Sequence, residues 1–222
     1  FKGLILAYTQ NIIKIVTALF FTPFLIHNVG ISQYGIFALA AAVSSYLLFL
    51  DSGLKTTFTR FFLKKNYSLN QVSLLINSLF LSSLFGLCIF IGGFLLLSNI
   101  NLFLNDSFDT NLEQIKRIIF YYSLSAGLVI FMTPFSGILI SHERFITIQI
   151  IEIATLIIST IISIICLVNG YGIVEISLIA ALAAVIQMLI KSIFAIKLIK
   201  PAKIRLGIKL KTIFAMIRFL IP

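Results

Sequence analysis

The chain has 222 residues, 60% of them hydrophobic, and carries 17 basic against 7 acidic side chains for a net charge of +10. A mean hydropathy of +1.13 excludes a soluble domain of this size. The positive charge is then explained by lysine and arginine retained beside a membrane, and nucleic acid is not an expected partner.

Six apolar runs approach or exceed the roughly 20 residues that cross about 30 Å of hydrocarbon as a helix. They lie near Leu4 to His27, Tyr34 to Leu54, Val72 to Ser98, Ile118 to Ser141, Phe145 to Val168 and Ile173 to Ile196. Together they predict an all-α integral membrane protein, a six-helix bundle occupying residues 1–200.

The first run carries Lys14 at its centre, which rules out a cleavable signal peptide. An amine at that depth costs about 2.5 to 3.5 kcal/mol on insertion scales, so it needs a wet cavity or a partner. Gln10, Asn11, Lys14 and Thr17 recur at helical spacing and predict a polar stripe, with Lys14, Gln10 and Asn11 as candidate substrate-binding residues. Pro23, later in the same run, removes a backbone donor and is a candidate hinge.

The second run contains Ala38 to Ser45, small side chains that let helices approach closely. Asp51 stands at its cytoplasmic end, where a carboxylate opposes the helix dipole unless Lys55, one turn on, compensates it. Arg60 follows at the inner rim, suited to bind phosphate through its fork. Lys64 and Lys65 read as topology signal.

The third run holds Cys88 and the fifth Cys166, both as small hydrophobes, so neither a disulfide framework nor a metal site is implied. The fourth run holds Pro134, a second candidate hinge. In the fifth, Glu152, Thr155, Ser159 and Ser163 form another polar stripe. Glu152 lies roughly 12 Å beyond Arg144, at about the depth of Lys14. Two roles fit it: an ion pair with Lys14, or coupling of transport to H+ or Na+ through a carboxylate that takes up and releases a cation. The first and fifth runs are expected to line one cavity.

The sixth run contains the small stretch Ala180 to Ala184, and Glu175 at its start complements the helix N-terminus. Beyond it, Lys203 to Lys211 alternates basic and apolar residues, either lying along the inner interface or forming a solvated linker. Residues 201–222 read as this linker and the start of a seventh helix. The chain begins at Phe1 and stops as Phe214 to Ile221 opens another apolar run, which predicts that more of the protein exists.

Basic residues concentrate after the second, fourth and sixth runs, while the alternate connections carry few or offset charges. The positive-inside rule therefore predicts a cytoplasmic N-terminus. No Walker-type loop, zinc spacing or nucleophile–base pairing is present in the sequence, so an enzyme is not expected.

From Pro23 through Phe61 the sequence resembles the bacterial polysaccharide exporters that flip lipid-linked repeat units, within the multidrug/oligosaccharidyl-lipid/polysaccharide exporter superfamily. The resemblance is carried by Thr22-Pro23, Gly30, Tyr34-Gly35-Ile36-Phe37, Leu50-Asp51-Ser52-Gly53-Leu54 and Thr59-Arg60-Phe61. The family commonly has a second leucine where Ser52 stands. Downstream the likeness rests on span order, the Pro134 region and Phe219 to Pro222. It implies two six-helix lobes, 12 to 14 helices in all, working by alternating access in the bacterial inner membrane, with this chain as the N-terminal lobe. It further implies a cationic cavity for polyprenyl-pyrophosphate-linked oligosaccharide, with membrane lipids and a polysaccharide polymerase as partners and no cofactor. The same superfamily offers a rival, a cation-coupled multidrug exporter. A membrane-embedded glycan polymerase or ligase is a further alternative, against which the short outer connections argue.

Overall fold

The computed structural model describes residues 2–63, 71–98, 112–199 and 210–220. Among these there is no strand. The helices are α1 Lys2–Val29, α2 Ile31–Leu63, α3 Gln71–Ser98, α4 Leu112–Ser141, α5 Phe145–Val168, α6 Ile173–Leu198 and α7 Leu210–Leu220. Within α1, α3, α4, α5 and α6 lie five helical stretches long and apolar enough to cross a membrane. This is an all-α membrane protein. The predicted basic segment Lys203 to Lys211 falls largely outside the described residues, as do Lys64 and Lys65.

Hydropathy located most helix ends closely, but α4 begins at Leu112, six residues before the predicted Ile118, and the end of α2 differs more. There the predicted stop near Leu54 is wrong, because the helix continues to Leu63. Lys55 and Arg60, read as part of the connection after the second run, are helical positions. Charged and hydroxyl side chains can extend a membrane helix when they face protein, and a hydropathy window cannot distinguish that from a loop.

α4 is the hub, packed against α2, α3 and α6. Its residues from Met132 through Leu139 are all buried. Close approach comes from glycine: a Cβ on Gly86 of α3 would lie 3.0 Å from the Gly127 carbonyl oxygen of α4, and one on Gly93 would lie 2.4 Å from the Ser123 Cβ. Gly137 similarly admits Phe58 of α2, at 3.1 Å from its hypothetical Cβ. Membrane helices gain van der Waals packing this way, because lipid supplies no hydrophobic drive between them. α1 lies to one side, chiefly on α5, and α7 caps α2 and α3. Apolar side chains such as Ile12, Phe20, Leu87, Ile158 and Ile165 face outward, as lipid contact requires.

Among the described residues, three tight connections use left-handed residues, Gly30 at φ +84° between α1 and α2 being the first. Gly170 has φ +82°, with its N–H donating to the Leu167 carbonyl and that of Tyr171 to the Cys166 carbonyl. Glu143 has φ +58° and closes α4 with the same pair of bonds, from Glu143 to Ile140 and from Arg144 to Leu139. Pro23 and Pro134 both sit inside continuous helices.

Candidate functional site: a polar cleft among five helices

Glu152, Thr155 and Ser159 share one face of α5, and that face looks into a cleft of about 380 Å³. α1 adds Gln10 and Lys14, α2 adds Asp51 and Lys55, α4 adds Ser125, Thr133 and Ser136, and α6 adds Gln187 and Lys191. The pairs on α1, α2 and α6 are four residues apart, and those on α4 recur at eight and three, which stacks the polar groups along one face of each helix. The alanines Ala180, Ala183 and Ala184 leave room for the cleft beside α6.

Glu152 is the most highly connected group. Lys191 Nζ donates to its Oε1 at 2.9 Å, and Gln10 Nε2 donates to its Oε2 at 2.6 Å. One carboxylate thereby ties α1, α5 and α6 together. Lys191 is 5% exposed, so the charge is effectively out of solvent and requires this partner. Nearby, Gln187 donates to Thr155 Oγ1 at 2.7 Å. On the other side, the Thr133 hydroxyl donates to Asp51 Oδ1.

The predicted ion pair between Lys14 and Glu152 is not the one that forms. Lys191 takes that place because α5 and α6 are joined by a short turn and lie antiparallel. Glu152 is seven residues from the start of α5 and Lys191 seven from the end of α6, so each lies about 10 Å in from the same side. Lys14 borders the cleft without an ion-pair partner among the described residues, and Lys55 does likewise. Asp51 is bonded directly by the Thr133 hydroxyl, and Lys55, though not in ion-pair contact, remains its favourable electrostatic neighbour as predicted.

Other predicted site residues fall elsewhere. Asn11 is exposed and lies outside the cleft, as does Thr17, so the α1 stripe narrows to Gln10 and Lys14. Arg60 is exposed in the last turn of α2, in a separate groove with Phe61, Leu63 and Phe219. Pro134 is buried directly after Thr133, whereas Pro23 is exposed. Sequence reasoning passed over Lys191 and Gln187, although they repeat the spacing of Gln10 and Lys14. Lys191 lies close enough to the end of its apolar run to pass for a snorkelling residue.

A larger cavity, of about 610 Å³, lies at the other end of the bundle beside Asn28, Arg117, Tyr171 and Glu175. Its charged groups are already engaged. Glu113 pairs with Arg117 at 2.7 Å on an exposed helix face, and Glu175 accepts the Gly172 N–H at 2.9 Å. The smaller cleft holds Lys14 and Lys55, neither in contact with a carboxylate at ion-pair distance among the described residues, between helices whose outer faces are apolar.

No family model, curated protein or solved structure matches this chain. Function must be argued from the cleft itself. Its three amines outnumber its two carboxylates, and hydroxyl and amide groups line the space between. Such a lining suits an anion carrying further hydrogen-bonding groups.

Proposed function

We propose that the chain is a six-span lobe of an alternating-access transporter, with α2 as the remaining span, that moves polyprenyl-pyrophosphate-linked oligosaccharide across a bacterial inner membrane. The observation that carries this reading is the pair of amines, Lys14 and Lys55, bordering a polar cleft among apolar helices with no contact at ion-pair distance among the described residues. They supply the positive field for a pyrophosphate, while Gln187, Ser125 and Ser136 offer donors and acceptors to sugar hydroxyls. The lipid tail stays in the bilayer, beside the outward-facing apolar surface of α1.

Glu152 sets the resting state in this scheme. An anionic guest competes with it for Lys191, and loss of that pair loosens the carboxylate bridge to Gln10 on α1. Binding is thus linked to the packing of α1 on α5, which gives the substrate a differential grip on two arrangements of the lobe. The multidrug-exporter reading fares less well, because both carboxylates in the cleft already accept hydrogen bonds from the protein.

The test replaces Lys14 and Lys55 with glutamine in the protein in its native membrane. Surface polysaccharide should fall while membrane abundance holds. Unchanged export, or a change only in drug susceptibility, would overturn the assignment.

A further inference from the structure

α2 is 33 residues long, which at 1.5 Å per residue is roughly 50 Å and exceeds the hydrocarbon core. Its last turn, bearing Arg60, therefore reaches the headgroup layer. Arg60 is exposed and has no carboxylate within ion-pair distance among the described residues. Beside it opens a groove of about 350 Å³ whose other described walls are Phe61, Leu63 and Phe219. The groove is closed by the contact of α2 with α7, where the Phe61 and Phe219 rings meet edge to face at 5.7 Å. α7 buries Ile213 and Met216 against the bundle and leaves Arg218, next to Phe219, exposed.

A free guanidinium at the rim of an apolar slot, at headgroup depth, is complementary to one kind of molecule: an amphiphile with a phosphate at its head. We propose that this groove is a binding site for an anionic phospholipid of the bilayer, with its phosphate on Arg60 and an acyl chain against Phe61, Leu63 and Phe219. The planar fork of arginine can engage two phosphate oxygens at once. Basic pockets between membrane helices recognise anionic headgroups on this principle. The site is separate from the polar cleft and does not depend on the transport reading. It gives Arg60 a ligand other than the transported substrate.

Native mass spectrometry of the detergent-purified protein, titrated with phosphatidylglycerol, phosphatidylcholine or a polyprenyl phosphate, tests this. Phosphatidylglycerol adducts should exceed phosphatidylcholine adducts roughly fivefold. Arg60→Gln should reduce them to the phosphatidylcholine level, whereas Lys116→Gln, exposed at the start of α4, should not. Leu63→Glu places a carboxylate in the groove at an exposed position and should abolish the preference even if Arg60→Gln fails to fold. Equal adducts of the two phospholipids, or full retention of phosphatidylglycerol in Leu63→Glu, would overturn the site. Displacement of phosphatidylglycerol by polyprenyl phosphate at equal concentration would overturn the ligand and return Arg60 to substrate capture.

Discussion

Lys191 and Glu152 meet across α6 and α5 at 2.9 Å, and the second oxygen of the same carboxylate holds Gln10 of α1 at 2.6 Å. Removing one member strands a buried charge. Lys191→Met should lower stability by about 3 to 5 kcal/mol, and Lys191→Met with Glu152→Leu should recover much of it, because a buried pair exchanged for apolar groups is often neutral. Thermal unfolding in detergent reads both. A double variant no more stable than the single would mean that the pair contributes nothing beyond packing.

Gln10→Leu should weaken the same knot by about 1.5 to 3 kcal/mol, the range for a hydrogen bond to a charged group. A double-mutant cycle between Gln10 and Glu152 isolates that coupling. Additive losses would show that the two side chains act independently.

Lys14 gives the contrast. With no ion-pair partner among the described residues, Lys14→Gln should leave the unfolding temperature unchanged or raised, since an intramembrane charge is removed. Export should nonetheless fall. A variant that loses both together would mark Lys14 as structural.

Adjacent glycines in α3 should behave oppositely. A Cβ at Gly92 meets nothing within 4 Å, whereas one at Gly93 would sit 2.4 Å from the Ser123 Cβ. Gly93→Ala should therefore cost about 1 to 3 kcal/mol by overpacking. Gly92→Ala should be neutral or slightly stabilising in the same unfolding assay, because alanine favours helix by up to about 1 kcal/mol. Equal effects at the two positions would contradict the α3–α4 contact.

Glu143 holds φ +58° in the turn after α4, a conformation glycine adopts without a Cβ penalty. Glu143→Gly should stabilise the protein by up to about 1 kcal/mol, offset in part by the greater freedom of glycine in the unfolded chain. Gly170→Ala, at φ +82°, should destabilise it. Circular dichroism during heating distinguishes the signs.

Much of the architecture was legible because hydropathy is a local property. A run of apolar residues long enough to cross a bilayer announces itself whatever its neighbours do, so the positions of α1, α3, α4, α5 and α6 followed from the sequence. The second run lay within α2, but the helix's extension to Leu63 was not legible, since Lys55 and Arg60 look like a loop until α4 is seen to pack on that part of the helix through Gly137. The α5 stripe of Glu152, Thr155 and Ser159 was likewise readable as a polar face.

What the sequence alone determined is therefore that this chain is an all-α membrane protein with ionisable groups inside its helices, because burial in lipid depends on composition and length. Only the tertiary structure decided which groups meet: Lys191 rather than Lys14 on Glu152, Thr133 in addition to the nearby Lys55 on Asp51, and Arg60 outside the cleft altogether. Partnership depends on the rotation of each helix about its axis and on which backbones come close, as at Gly86 and Gly127. Those relations are set jointly by side chains far apart in the chain, so no single segment encodes them.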